Sequence, residues 1–134
     1  MTLTFDSWLT TWTPIVGNLQ EYIKTSSPTE YGPIAAEIEK LSNEIRIVAD
    51  LVADADDFIR LTRAQETTEV IYNPKFADWS AAERKVQVEA RISGIIAYKD
   101  HLKVLLNALE SRQGAALHNR KQLEEIMSMG RIKK

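Results

Sequence analysis

The strongest pattern in the chain is an apolar repeat that begins after Pro33. Apolar residues recur there at alternating spacings of three and four over three heptads: Ile38, Leu41, Ile45, Val48, Val52, Ala55 and Ile59. This spacing aligns them on one helix face, as in a coiled-coil seam. Because no proline or glycine interrupts the chain between Pro33 and Ile71, the pattern predicts one continuous helix over residues 34–69, within a long-helix segment at residues 33–71.

A second heptad pattern follows Ser80 and Glu83, whose capping-box spacing predicts the start of a helix. Its seam positions are Val88, Ile92, Ile95, Lys99, Leu102, Leu106 and Leu109. Gly114 weakens this helix without necessarily ending it, and a shorter apolar face follows. We therefore expect a linker at residues 72–79 and basic helices over residues 80–130, the last of them short.

The N-terminal segment, residues 1–32, predicts shorter elements. Its apolar side chains recur at three- and four-residue spacing: Trp8, Trp12, Ile15, Leu19 and Tyr22. Pro14 has no backbone N–H to donate, so this stretch is interpreted as two short helices or one kinked helix. The breaker residues between Thr25 and Gly32 then predict a loop.

The length of the first long helix argues for an elongated molecule. A helix over residues 34–69 measures about 54 Å, whereas a compact globule of this chain length has a radius of gyration of about 14 Å. We therefore predict an all-α fold in one domain, residues 1–134: an elongated helical hairpin of two long heptad-patterned helices with short N- and C-terminal helices. Such a hairpin buries little core per residue, so a homo-oligomer is expected. The predicted interface is Leu105, Leu109, Leu117, Leu123, Ile126 and Met127.

Composition narrows the class of protein. The absence of cysteine excludes disulfides and thiolate zinc sites and favours a reducing, cytoplasmic location. Neither a signal peptide nor a run of about 18 apolar residues is found, so no membrane span is expected. The two histidines, His101 and His118, stand alone, and Asp50, Asp54 and Asp57 share a face that we expect to be solvated. Because phosphate-loop and nucleophile motifs are also absent, we expect no enzyme, no cofactor and no metal site.

Charge is distributed unevenly along the chain. Residues 1–80 carry 13 acids and 6 bases, whereas residues 81–134 carry 6 acids and 11 bases. Either the two halves pack against each other, or the basic half faces a partner. Lysine and arginine side chains spread along a surface in this way can contact a phosphate backbone without recognising its base sequence. The candidate nucleic-acid contacts are Lys99, Lys103, Arg112, Arg120 and Lys121.

The C-terminal segment combines three short motifs: Leu106-Asn107-Ala108-Leu109-Glu110-Ser111-Arg112, then Gly114-Ala115-Ala116, then Met127-Ser128-Met129-Gly130. Residues 106–130 and the order of the helices resemble the UvsY family, the recombination mediators of T-even phages. The resemblance implies an oligomer assembled by the C-terminal helices and basic residues that bind single-stranded DNA. It also implies a role in helping a RecA-like recombinase replace the single-strand-binding protein, in the cytoplasm of the host.

A second hypothesis needs no nucleic acid. The two seams would then contact a protein partner, as in a phage-encoded inhibitor, adaptor or assembly factor. A small helical enzyme is a third and weaker reading, since scattered carboxylates would have to form its site. Salt-dependent binding of single-stranded DNA separates the first two hypotheses, because phosphate binding releases counterions.

Overall fold

The protein is almost wholly helical. A computed structural model describes residues 4–132; residues 1–3 and 133–134, which belong to the predicted N-terminal segment and the basic C-terminal end, lie outside the described residues. Among residues 4–132 the chain forms three α-helices, one 3₁₀ turn and no strand, which confirms the all-α prediction. In chain order the elements are α1 (Phe5–Ile23), α2 (Tyr31–Tyr72), the 3₁₀ turn (Pro74–Phe76) and α3 (Ala81–Ile132).

Helix α1 is a single helix that continues through Pro14. Thr4 caps its N-terminus, where the Thr4 hydroxyl accepts a hydrogen bond from the Ser7 amide at 3.1 Å. Pro14 is exposed, so water can solvate the carbonyl that has lost its helical donor. Of the two alternatives for this segment, two separate short helices is therefore wrong.

The two long helices test the predicted boundaries. Helix α2 confirms the continuous helix over residues 34–69 and extends it at both ends. Helix α3 begins after Ser80, whose hydroxyl accepts from the Glu83 amide at 3.2 Å, as the capping-box spacing predicts. It then runs unbroken through Gly114, so the separate short C-terminal helix is wrong. A single exposed glycine costs a helix only about 1 kcal/mol, which 52 residues of helix readily tolerate.

Helices α2 and α3 lie side by side and run in opposite directions. Helix α1 packs on both of them, with Trp8 against Phe58 and Tyr98. Beyond the region covered by α1, residues 62–91 comprise the last part of α2, the turn and the first part of α3. We call this region the arm. Three pairs across the two long helices show their direction: Glu37 with Arg112, Asp56 with Lys99, and Glu66 with Arg91.

The buried face of each long helix is rotated slightly about the helix axis relative to the predicted seam. Leu51 and Leu105 are buried, whereas their neighbours Val52 and Leu106 are only half-buried. The reason is α1: a third helix on the α2–α3 pair moves the buried line from the two-helix contact toward the three-helix axis. The central apolar cluster consists of Trp8, Val16, Leu19, Leu41, Val48, Leu51, Ala55, Leu102, Leu105 and Leu109.

The predicted linker at residues 72–79 is a packed turn. The Asn73 side chain accepts a hydrogen bond from the Lys75 amide at 2.9 Å and starts the 3₁₀ turn. Phe76 then folds inward, with its ring 4.7 Å from that of Trp79 in an edge-on arrangement. Phe76 also packs with Val70 and Val88, so the tip of the arm has a small apolar core of its own.

Candidate nucleic-acid and self-association surfaces

Arg112 is not available at the surface, contrary to its predicted role in DNA binding. Its guanidinium forms a buried ion pair with Glu37 of α2. It also donates to the carbonyls of Tyr22 at 3.2 Å, Ile23 at 3.3 Å and Thr25 at 2.9 Å. The first two carbonyls belong to the last turn of α1, where a helix leaves its acceptors without internal donors, and the third follows the helix. Arg112 therefore joins all three helices, and its nitrogens are engaged within the chain.

The surroundings of Arg112 form a half-buried polar network. The Tyr22 hydroxyl donates to Glu37 at 2.8 Å, and burial together with that carboxylate raises the pKa of Tyr22 to about 12. Tyr22 therefore stays protonated and remains a donor. Burial also raises the pKa of Glu44, although Lys40 lies 3.7 Å away. Within residues 4–132, no group donates to the buried Glu44 Oε2.

Lys99 is also engaged within the chain, in an ion pair with Asp56 of α2. The Lys99–Asp56 pair is one of several ion pairs between the two long helices. Arg91 contacts Glu66 and lies 2.8 Å from Glu69, and two nitrogens of Arg63 each lie 3.1 Å from a Glu89 oxygen. The pairs of Lys99, Arg91 and Arg112 join a basic residue of the second half to an acidic residue of the first half, so part of the charge asymmetry is compensated inside the molecule. The Arg63–Glu89 pair has the opposite order.

The other three predicted DNA contacts lie on the exposed side of α3. Lys103 and Lys121 are exposed, and neither has an acidic partner among the described residues. Arg120 lies 3.8 Å from Glu124 one turn later, an exposed pair that contributes little. At 1.5 Å per residue, Lys103 and Lys121 are separated by about 27 Å along the helix.

Two of the six predicted interface residues are wrong. Leu105 and Leu109 are buried inside the subunit, because α1 and α2 cover this side of α3. They are therefore unavailable to a second copy. Leu123 is half-buried, whereas the remaining three residues are exposed apolar side chains: Leu117, Ile126 and Met127.

The end of α3 projects beyond the start of α2. The Tyr31 hydroxyl donates to Glu124 at 2.9 Å, so the first residue of α2 lies beside Glu124. Residues 125–132, which we call the α3 end, continue for about 12 Å past this point. Ile126 is 62% exposed and Met129 is 56% exposed. Residues 125–130 of the α3 end thus present apolar side chains that the described part of the chain leaves largely exposed.

The remaining candidate groups serve the fold. Asp54 accepts a hydrogen bond from the Trp8 indole at 3.2 Å, and Asp57 pairs with Arg60. Of the acidic face that was expected to be solvated, Asp50 and Asp57 are exposed, and only Asp54 helps to hold α1. His101 contacts the Gln20 side chain, which also links α1 to α3. Over residues 4–132 no three histidine or carboxylate side chains come together as a metal site.

Known proteins offer no guide to function. No protein-family model, curated protein or solved structure matches the chain. Along residues 4–132, none of the helices is both long enough and apolar enough to cross a bilayer. The exposed bases of α3 and the uncovered α3 end are thus the features on which a function can be argued.

Proposed function

We propose that the chain is a homo-oligomeric recombination accessory protein of the UvsY type, acting in the cytoplasm. It binds single-stranded DNA and helps to load a RecA-like recombinase where a single-strand-binding protein was bound. The observation that carries the proposal is the position of the exposed Lys103 and Lys121 and the partly exposed Arg120 on α3, which lead to the apolar α3 end. In this proposal the α2–α3 pair acts as an elongated coiled-coil hairpin.

Self-association and DNA binding depend on each other in this proposal. The net charge of the chain is −2, so one subunit attracts DNA weakly. An oligomer held through Ile126 and Met127 repeats the basic surface once per subunit. The repeated surfaces engage one strand at a high effective concentration, which strengthens binding without any new kind of contact.

A direct test is binding of a fluorescent oligothymidylate of about 30 nucleotides, followed by anisotropy over a range of salt concentrations. We expect the log–log salt slope to be about −0.7 for each phosphate neutralised on a single strand. The Lys103→Glu/Lys121→Glu variant should bind more weakly and show a smaller slope. Arg46→Glu is the matched control, since Arg46 is an exposed base on α2. Absence of wild-type binding even at low salt would reject the proposal.

A second candidate function is a helical protein-interaction module that binds no nucleic acid. It is favoured by the engagement of Lys99 and Arg112, since two of the five predicted bases are used to hold the helices together. A wild-type oligomer that ignores single-stranded DNA would point to this alternative. Its first surface to mutate would be the α3 end.

A further inference from the structure

The arm carries an open groove that the sequence pattern did not predict. It lies between α2 and α3 close to the turn and has a volume of about 360 Å³. Sites for drug-sized ligands begin at about 300 Å³, so the groove can accept a few side chains. Its apolar lining is Val70, Ile71, Ala81 and Val88, and its charged lining is Arg63, Arg84, Lys85 and Glu89.

The charged lining of the groove has more positive than negative side chains. Arg63 and Glu89 neutralise each other through their paired contacts at 3.1 Å. Arg84 donates from one terminal nitrogen to the carbonyls of Phe76 at 3.3 Å and Ala77 at 3.2 Å. Arg84 Nε is buried and meets no acceptor in the described part of the chain. Lys85 is exposed and likewise has no acidic partner there, so two positive charges border the groove unopposed.

The apolar lining of the groove is partly open to water. Ile71 is 50% exposed at the end of α2, whereas Val70 and Val88 below it are buried. Helix α1 packs further along the α2–α3 pair and contributes no residue to this groove. A ligand with both aliphatic and anionic groups would therefore bury Ile71 and meet the two free charges at once.

We propose that the arm groove binds an acidic peptide segment of another protein. Its aliphatic side chains enter between Ile71 and Val88, and its carboxylates meet Arg84 and Lys85. A nucleic-acid strand fits this groove less well, because the lining contains no aromatic side chain on which a base could stack. A second copy docking through its α3 end is disfavoured as well, because Arg120 and Lys121, which precede the α3 end by a turn, would approach the positive border.

The test uses the full chain and a fluorescein-labelled peptide of alternating aspartate and leucine, followed by anisotropy. Two reference peptides replace either aspartate by lysine or leucine by serine, and we expect only the first peptide to bind. Ile71→Asp should weaken binding roughly tenfold and Lys85→Glu about threefold to fivefold, because each removes one of the two kinds of contact and an exposed ion pair is the weaker one. The matched controls Arg46→Glu and Val104→Asp, at exposed positions away from the groove, should change affinity less than about twofold.

Three results would overturn the proposal. The first is no binding of the aspartate–leucine peptide at concentrations of about 100 μM. The second is equal binding of the serine peptide, which would reduce the groove to a surface charge. The third is displacement of the peptide by unlabelled oligothymidylate together with loss of oligonucleotide binding in Lys85→Glu, since the groove would then belong to a nucleic-acid surface. Because the groove is remote from the α3 end, failure of the DNA proposal leaves this one standing.

Discussion

At the scale of single residues, Arg112 shows how position decides the role of a charge. Its side chain is 10% exposed and faces Glu37, whose side chain is 4% exposed. The sequence pattern predicted Arg112 as one of the surface contacts to nucleic acid. In the structure, Arg112→Glu would place two carboxylates together and remove the side-chain donor to the carbonyls of Ile23 and Thr25. Arg112 is therefore a residue for stability experiments, and Lys103 and Lys121 are the residues for DNA-binding experiments.

We predict that Arg112→Met lowers the free energy of unfolding by about 3–5 kcal/mol, because it leaves the Glu37 carboxylate buried without a cation. Urea denaturation followed by circular dichroism measures the loss. Arg46→Met, at an exposed site, should stay within about 0.5 kcal/mol of wild type. The double variant Arg112→Met/Glu37→Leu should recover much of the loss, because both charges are removed together. Additive losses in the double variant would contradict the network.

Glu44 yields a prediction about pH. Burial raises the pKa of its carboxyl above the ordinary value, so the carboxyl binds a proton more readily in the folded protein than in the unfolded chain. Its contribution to stability is therefore fully present below the unfolded pKa and is lost as pH rises through the folded pKa. Glu44→Gln should accordingly raise the melting temperature at pH 7, and this gain should disappear near pH 4. A gain of equal size at both pH values would show that burial of the charge is not its cause.

At the scale of elements, the main question is how α3 continues past Gly114. An added Cβ at this glycine meets no atom within 4 Å, and the residue is exposed. The same holds for Gly94, earlier in α3. Neither glycine is therefore required by packing within the subunit, and both weaken the helix only through backbone entropy.

We predict that Gly114→Ala stabilises the protein by roughly 0.5–1 kcal/mol, since alanine is the better helix former at an exposed interior position. Gly94→Ala is the matched control and should give a gain of similar size. Thermal unfolding is measured at low protein concentration, so that the proposed self-association does not contribute to the result. A loss of stability in Gly114→Ala alone would indicate that the chain bends at this glycine, with a separate C-terminal helix after it.

At the scale of the whole molecule, stabilising contacts are concentrated where α1 packs on the α2–α3 pair and are fewer in the arm. Three helices share the central core around Trp8 and Leu102, whereas the arm has only two helices and its small tip cluster. Between these clusters lie a smaller apolar cluster of Ile59, Ile92 and Ile95 and, within the arm, the partly exposed ion pairs of Arg91 with Glu66 and Glu69. Such pairs contribute little individually. We therefore expect amide hydrogen exchange to be faster in the arm than in the central core.

Self-association belongs to the same scale. Truncation before Gly114 would remove the buried Ala116 and the contact of Glu124 with Tyr31 together with the α3 end. A sharper change is Ile126→Asp/Met127→Asp, which alters only the α3 end. We predict that this variant sediments as a smaller species than wild type at tens of micromolar, a range that needs about 8 kcal/mol of association. Val104→Asp, at another exposed site on α3, should leave the mass unchanged. A monomeric wild type would refute the prediction.

The sequence by itself determined the class of fold and the main boundaries. The heptad spacing in α2, the Ser80–Glu83 capping pair and the breakers around Pro28 and Pro74 are local signals. Each acts within one or two turns of backbone, so each can be read without knowing what packs against it. Ile126 and Met127 of the predicted oligomer interface are exposed, because α3 extends past the first residue of α2.

Tertiary structure decided which of the similar residues are buried and which remain exposed. Arg112 and Lys121 look alike in sequence, as do Leu109 and Leu117, but α1 lies over the first member of each pair and leaves the second uncovered. The arm groove likewise joins Ile71 to Lys85 across a turn. These outcomes depend on where a third helix docks and how a turn closes. Both are set by contacts between residues distant in the chain, on which helical periodicity carries no information.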